Sequence, residues 1–99
     1  MKARTERFKT AKAFGASLGL SDVEMELVRQ KKRIIEKLKA ARIKKGVSQA
    51  RLADLVGSKQ PAIARMESGQ ISEVSMDFLA KVALTLDVAF TIRPMDDAA

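Results

Sequence analysis

One run of residues constrains this chain more than any other: Ser48-Gln-Ala-Arg-Leu-Ala-Asp-Leu-Val-Gly-Ser-Lys-Gln-Pro-Ala-Ile-Ala-Arg-Met-Glu-Ser-Gly69. It reads as two short amphipathic segments, 48–56 and 58–68, meeting at Gly57. Leu52, Ala53 and Val56 in the first, with Ile63 and Met66 in the second, recur at helical steps of three and four and fill the angle between two helices. Ala53 is small enough for the second helix to cross close to it. Gly57 permits the positive φ of a tight turn. Ser48 is the expected N-cap of the first helix. Ser58 is the expected N-cap of the second, with Pro61 in its first turn, where a missing amide donor does no harm. Gly69 ends the second helix. Lys59, Gln60 and Arg65 are left facing outward.

The flanking sequence predicts further helices. Ser21-Asp-Val-Glu24 is a capping-box pattern. Apolar positions follow at Leu27, Val28, Ile34, Ile35, Leu38 and Ala41, interrupted by Lys31, up to Gly46. Lys44 and Lys45 suit the negative end of a helix dipole. One helix over about 22–45 fits this pattern, and so do two with a break near Arg29. Ser75 is expected to cap a helix with the stripe Phe78, Leu79, Val82, Ala83 and Leu86, closed by Asp87. Residues 88–93 then alternate, with Val88, Phe90 and Ile92 on one face, which predicts a strand ended by Pro94. Near the start, Phe8, Ala11, Phe14 and Leu18 outline a short helix over 5–18. Gly15 and Gly19 weaken it, so that it is marginal alone and depends on a partner for order.

Composition narrows the function. The 99 residues carry a formal net charge of +7 and no His, Cys, Trp or Tyr. Without Cys and His there is no disulfide framework, thiolate nucleophile, imidazole base or familiar zinc site, and the carboxylates show no catalytic arrangement. The chain is therefore read as a non-enzyme with no cofactor and no metal. The charge is uneven: net +4 over residues 1–20, +5 over 21–47, +1 over 48–69 and −3 over 70–99. Most of the Lys and Arg flanking the apolar stripes read as solvated faces, while the excess as a whole points to a polyanionic partner. No segment is long and apolar enough to span a membrane; the longest charge-free stretch, Ala13–Ser21, holds two Gly and two Ser. Its short, broken apolar part also argues against an export signal, and the absence of Cys suits the reducing cytosol.

The run 48–69 resembles the helix-turn-helix of the Cro/repressor family of bacterial and phage regulators, the XRE class, and the resemblance extends over about residues 34–87. It implies an all-α fold: a five-helix, lambda-repressor-like DNA-binding domain, here with an N-terminal helical extension and a short C-terminal dimerisation strand. The layout is then a basic arm over 1–21, the helical connector and domain over 22–87 (its helix-turn-helix over 48–68), and a strand with an acidic tail over 88–99. The second helix of the motif becomes the recognition helix of the major groove. By position, the resemblance makes Gln60, Pro61 and Arg65 base-reading residues. Gln pairs with adenine and Arg with guanine, whereas Pro61 departs from the polar residue often found there and offers only apolar contact. Ser48, Gln49, Lys59, Ser68 and Gln70 become phosphate contacts, with Ser72 near them, in a loop poorer in Lys and Arg than in many relatives. Gln49 also braces the recognition-helix Gln. Arg42 and Glu67 match positions that form a partly buried ion pair.

A lone strand needs a partner edge. Residues 88–93 are expected to pair across a two-fold axis, giving a homodimer ribbon and two recognition helices for a palindromic operator on double-stranded DNA. Edge addition to another protein, or a tail folded over its own core, are the alternatives. The whole layout resembles the HigA-type antitoxins of bacterial toxin–antitoxin pairs, whose partner is an mRNA-cleaving ribonuclease toxin. The leading reading is a cytoplasmic, nucleoid-associated repressor autoregulating its operon. A stand-alone regulator, a partner-neutralising interaction protein, and a nonspecific nucleic-acid or membrane binder using residues 2–12 and 29–45 are the competitors.

Overall fold

A computed structural model describes residue 19 and residues 21–70 and 74–94 of the chain. Helix α1 (Asp22–Lys44) begins with a reciprocal cap. The Glu24 amide donates to Ser21 Oγ at 3.0 Å, and the Ser21 amide donates to Glu24 Oε1 at 3.0 Å. Two amide donors that the first turn leaves without helical partners are thereby satisfied. The helix runs through Arg29 unbroken, so of the two arrangements that fit the sequence the single helix is the one formed.

Helix α2 (Gln49–Val56) is capped by Ser48, whose hydroxyl accepts the Arg51 amide at 2.9 Å. It ends at Gly57, whose φ of +74° is disfavoured for a residue with a Cβ. The Gly57 amide donates to Asp54 O at 3.2 Å and the Ser58 amide to Ala53 O at 2.8 Å, the paired bonds of a Schellman ending. Ser58 is thus part of the close of α2 and does not cap the next helix. Lys59 stands at the N-cap of α3 (Gln60–Glu67), with no side-chain cap bond, and Pro61 lies in the first turn. Helix α4 (Met76–Thr85) is capped by Ser75, which accepts the Phe78 amide at 3.0 Å. Its ending repeats the geometry of Gly57 with a non-glycine residue, Asp87, at φ +63°.

The helices enclose one core. Ile35 and Leu38 come from α1, Leu52, Ala53 and Val56 from α2, Ile63 and Met66 from α3, and Leu79, Val82 and Ala83 from α4. Leu52, Ile63, Met66, Leu79 and Val82 have no exposed surface, and each such aliphatic side chain contributes about 1.5–3 kcal/mol by leaving water. α3 is held from behind by α1 and α2, which leaves its opposite side open to solvent.

Two expectations are not met among the described residues. The described residues form four helices, not the five that the resemblance implies. Residues 88–94 form no strand. Val88 and Phe90 are half-buried against the core, while Ile92 is 96% exposed. The physical reason is that no other described segment offers this one a ladder to join, so the apolar side chains of Val88 and Phe90 gain more by covering the helices. The stripe over 5–18 and Ser72 lie outside the described residues. Among the described residues no helix is long and apolar enough to cross a membrane.

Candidate nucleic-acid interface

The site is organised by a relay of polar side chains running from α1 to the start of α3. Arg42 on α1 donates through Nε to Glu67 Oε2 at 2.6 Å and through Nη2 to Glu67 Oε1 at 3.0 Å, a two-pronged ion pair at the end of α3. Its Nη1 donates to Val47 O at 2.7 Å, which ties the α1–α2 turn to the same guanidinium. Gln49, the first residue of α2, donates through Nε2 to Glu67 Oε1 at 3.0 Å. Gln60, the first residue of α3, donates through Nε2 to Gln49 Oε1 at 2.7 Å. The chain Arg42–Glu67–Gln49–Gln60 thus links three helices and fixes the direction of the Gln60 amide on an exposed surface.

The electrostatics agree with that geometry. The Glu67 side chain is 3% exposed. Burial alone pushes its carboxyl up. Hydrogen bonds from Arg42 and Gln49, with the charges of Arg42 and Lys39, outweigh burial and hold it below the ordinary carboxylate value. The Arg42 guanidinium is pushed up by its hydrogen bond to Glu67, which outweighs the opposing effect of burial, with that residue's charge adding to the rise. Glu67 is therefore a fixed anion, able to accept two donors and orient both.

Most of the residues expected at the site from the sequence are exposed. Lys59, Gln60, Pro61 and Arg65 are exposed along α3, with Arg65 in its last turn. Ser48 sits at the head of α2, its hydroxyl oxygen accepting from Arg51. The Ser68 hydroxyl donates to Arg65 O at 2.8 Å. Gln70 is exposed after the α3 turn. Val88, Phe90 and Ile92 take no part in this surface.

Two lysines contribute in ways not assigned from the sequence. Lys31, the interruption of the α1 stripe, donates through Nζ to Val74 O at 2.7 Å, just before the α4 cap. The interruption itself was a visible signal, although its partner lies 43 residues away. Lys39 acts on Glu67 through its charge, and nothing in its sequence position announced that. Among the described residues no cluster of side chains is grouped to hold a metal ion.

A family model described as helix-turn-helix (HTH_3) matches residues 38–92, more than half of the chain. No curated protein and no solved structure gives a match. The matched segment contains α2, α3, α4 and the end of α1 that carries Arg42. With the relay in place beneath an exposed α3, the chain belongs to the XRE-type helix-turn-helix family of DNA-binding regulators.

Proposed function

We propose that this regulator is a sequence-specific repressor that reads double-stranded DNA with α3. The observation that carries the reading is the relay ending at Gln60, because it holds an amide in a fixed direction before any DNA arrives. A preset amide loses less conformational entropy on pairing with a base edge. Gln60 and Arg65 are the hydrogen-bonding base readers and Pro61 an apolar contact. Ser48, Gln49, Lys59, Ser68 and Gln70 hold the flanking phosphates. The test compares binding to the chain's own upstream DNA with binding to random duplexes across a salt series. Both weaken with salt, but a repressor keeps a specificity ratio of about a thousand or more. A ratio near one at every salt concentration overturns the reading.

The repressor acts as a homodimer on a palindromic operator, with residues 88–93 as the pairing segment. Ile92, solvated in the single chain, gains burial in such a ribbon. Deleting residues 88–99 should then convert a dimer to a monomer in solution; an unchanged dimer contradicts it. The resemblance to HigA-type antitoxins supports autoregulation of a toxin–antitoxin operon. Val23 and Leu27 are exposed apolar side chains on α1, outside the core, and offer contact area for a toxin. A small, basic ribonuclease-like reading frame beside this gene, whose product co-purifies with the chain, is the expected result. Its absence leaves the stand-alone regulator.

A further inference from the structure

We propose that Lys39, on α1 and outside the two-helix motif, binds a DNA phosphate and supplies the cation that the turn after α3 lacks. The site rests on the DNA-binding reading of the family. Residues 68–70 contain no Lys or Arg. Their backbone donors are already engaged, which leaves the Ser68 hydroxyl and the Gln70 side-chain amide as neutral donors for a phosphate. The amides of Ser68, Gly69 and Gln70 donate to Ala64, Met66 and Arg65 carbonyls at 2.9, 3.2 and 3.3 Å. In the chain alone the Ser68 hydroxyl donates to Arg65 O. A phosphate arriving here also meets the negative end of the α3 dipole and the Glu67 carboxylate beneath it. A positive charge from another element offsets that repulsion and adds to the neutral contacts of Ser68 and Gln70.

α1 delivers one. Arg42 reaches Glu67 with two donors, and Lys39 stands three residues earlier, one helical turn away on the same flank. Lys39 is exposed, whereas Arg42 is committed to Glu67 and Val47 O. The charge of Lys39 is close enough to help hold the Glu67 carboxyl down. A flexible lysine stem lets the ammonium lean from Glu67 toward an incoming phosphate while the pair beneath stays intact. Lys37, also exposed, lies about 160° round the helix from Lys39 and provides an internal control of equal charge.

The experiment measures binding of the full chain to a 30-base-pair mixed-sequence DNA duplex between about 0.05 and 0.3 M salt, a probe that requires no knowledge of the operator. Lys39→Gln should lower the slope of log affinity against log salt by about 0.9 and weaken binding about 5–10-fold at 0.1 M. Lys39→Arg should restore both. Lys37→Gln should leave the slope unchanged, and all three variants should melt within about 1 °C of the parent. A Lys39→Gln slope equal to the parent's, with the parent binding normally, overturns this site alone. Equal slope losses in Lys39→Gln and Lys37→Gln overturn it too, because they report net charge and not a contact. A parent that binds no duplex at the lowest salt overturns the DNA-binding reading, and the site with it.

Discussion

The two halves of α1 carry the same kind of apolar periodicity and meet different fates. In the C-terminal half, Ile35 and Leu38 are 3% and 2% exposed and belong to the core, and Arg42 anchors the relay. In the N-terminal half, Val23 and Leu27 are 78% and 43% exposed, and Met25, although buried, stands apart from the core cluster. Lys31 marks the junction, tying the helix to Val74 where the domain begins to cover it. A helical stripe specifies a surface to be buried. It does not specify what buries it. α3 and α4 pack against α1; Ile35 and Leu38 of its C-terminal half join the shared core, whereas Met25, the buried residue of its N-terminal half, does not.

The largest effect expected from this contrast is in the core. Leu38→Ala should cost about 3 kcal/mol or more, whereas Leu27→Ala should cost under about 0.5 kcal/mol, both read from denaturant unfolding. Equal costs would mean that the two halves are equally packed. Next comes the ion pair. Glu67→Ala should destabilise by about 3 kcal/mol, because it strands the Arg42 guanidinium. Glu24→Ala, which removes only a cap at the other end of α1, should cost about 1 kcal/mol. Equal melting temperatures for these two variants would remove the distinction.

The pair also sets a pH dependence with a definite sign. The Glu67 carboxyl is held below its ordinary value in the folded chain. Its contribution is fully present above the unfolded carboxylate pKa and is lost as pH falls through the lower folded value. Acid unfolding of the parent should therefore be steeper than that of Glu67→Gln, which has no proton to take up. Smaller still is the turn. A Cβ at Gly57 meets nothing within 4 Å, so Gly57→Ala should cost only the strain of positive φ, about 1 kcal/mol.

Local chemistry made much of the fold legible. Ser21, Ser48 and Ser75 cap helices because each is followed by apolar positions at helical spacing, and that signal lies within a few residues. Ser58 misled because its place before Pro61 looks like a cap, yet its amide is consumed in closing α2. The alternation of residues 88–93 has strand character, but pairing depends on an edge that no other described segment supplies. Lys31 could be seen as an anomaly and not explained, since its partner lies across the fold. The positions of the relay residues followed from the family pattern. Their distances, and the reach of Lys39 to the same carboxylate, depend on how α1 packs against α3, which no local pattern encodes.

The central claim is that α3 reads bases and its neighbours hold the backbone. The most direct test profiles the parent, Arg65→Ala and Lys59→Ala against a random-sequence duplex pool. Arg65→Ala should lose preference at a single base position, with a cost of about 1–3 kcal/mol on the preferred sequence, whereas Lys59→Ala should weaken every sequence alike. A uniform loss of affinity in Arg65→Ala, with all base preferences kept, would contradict the account.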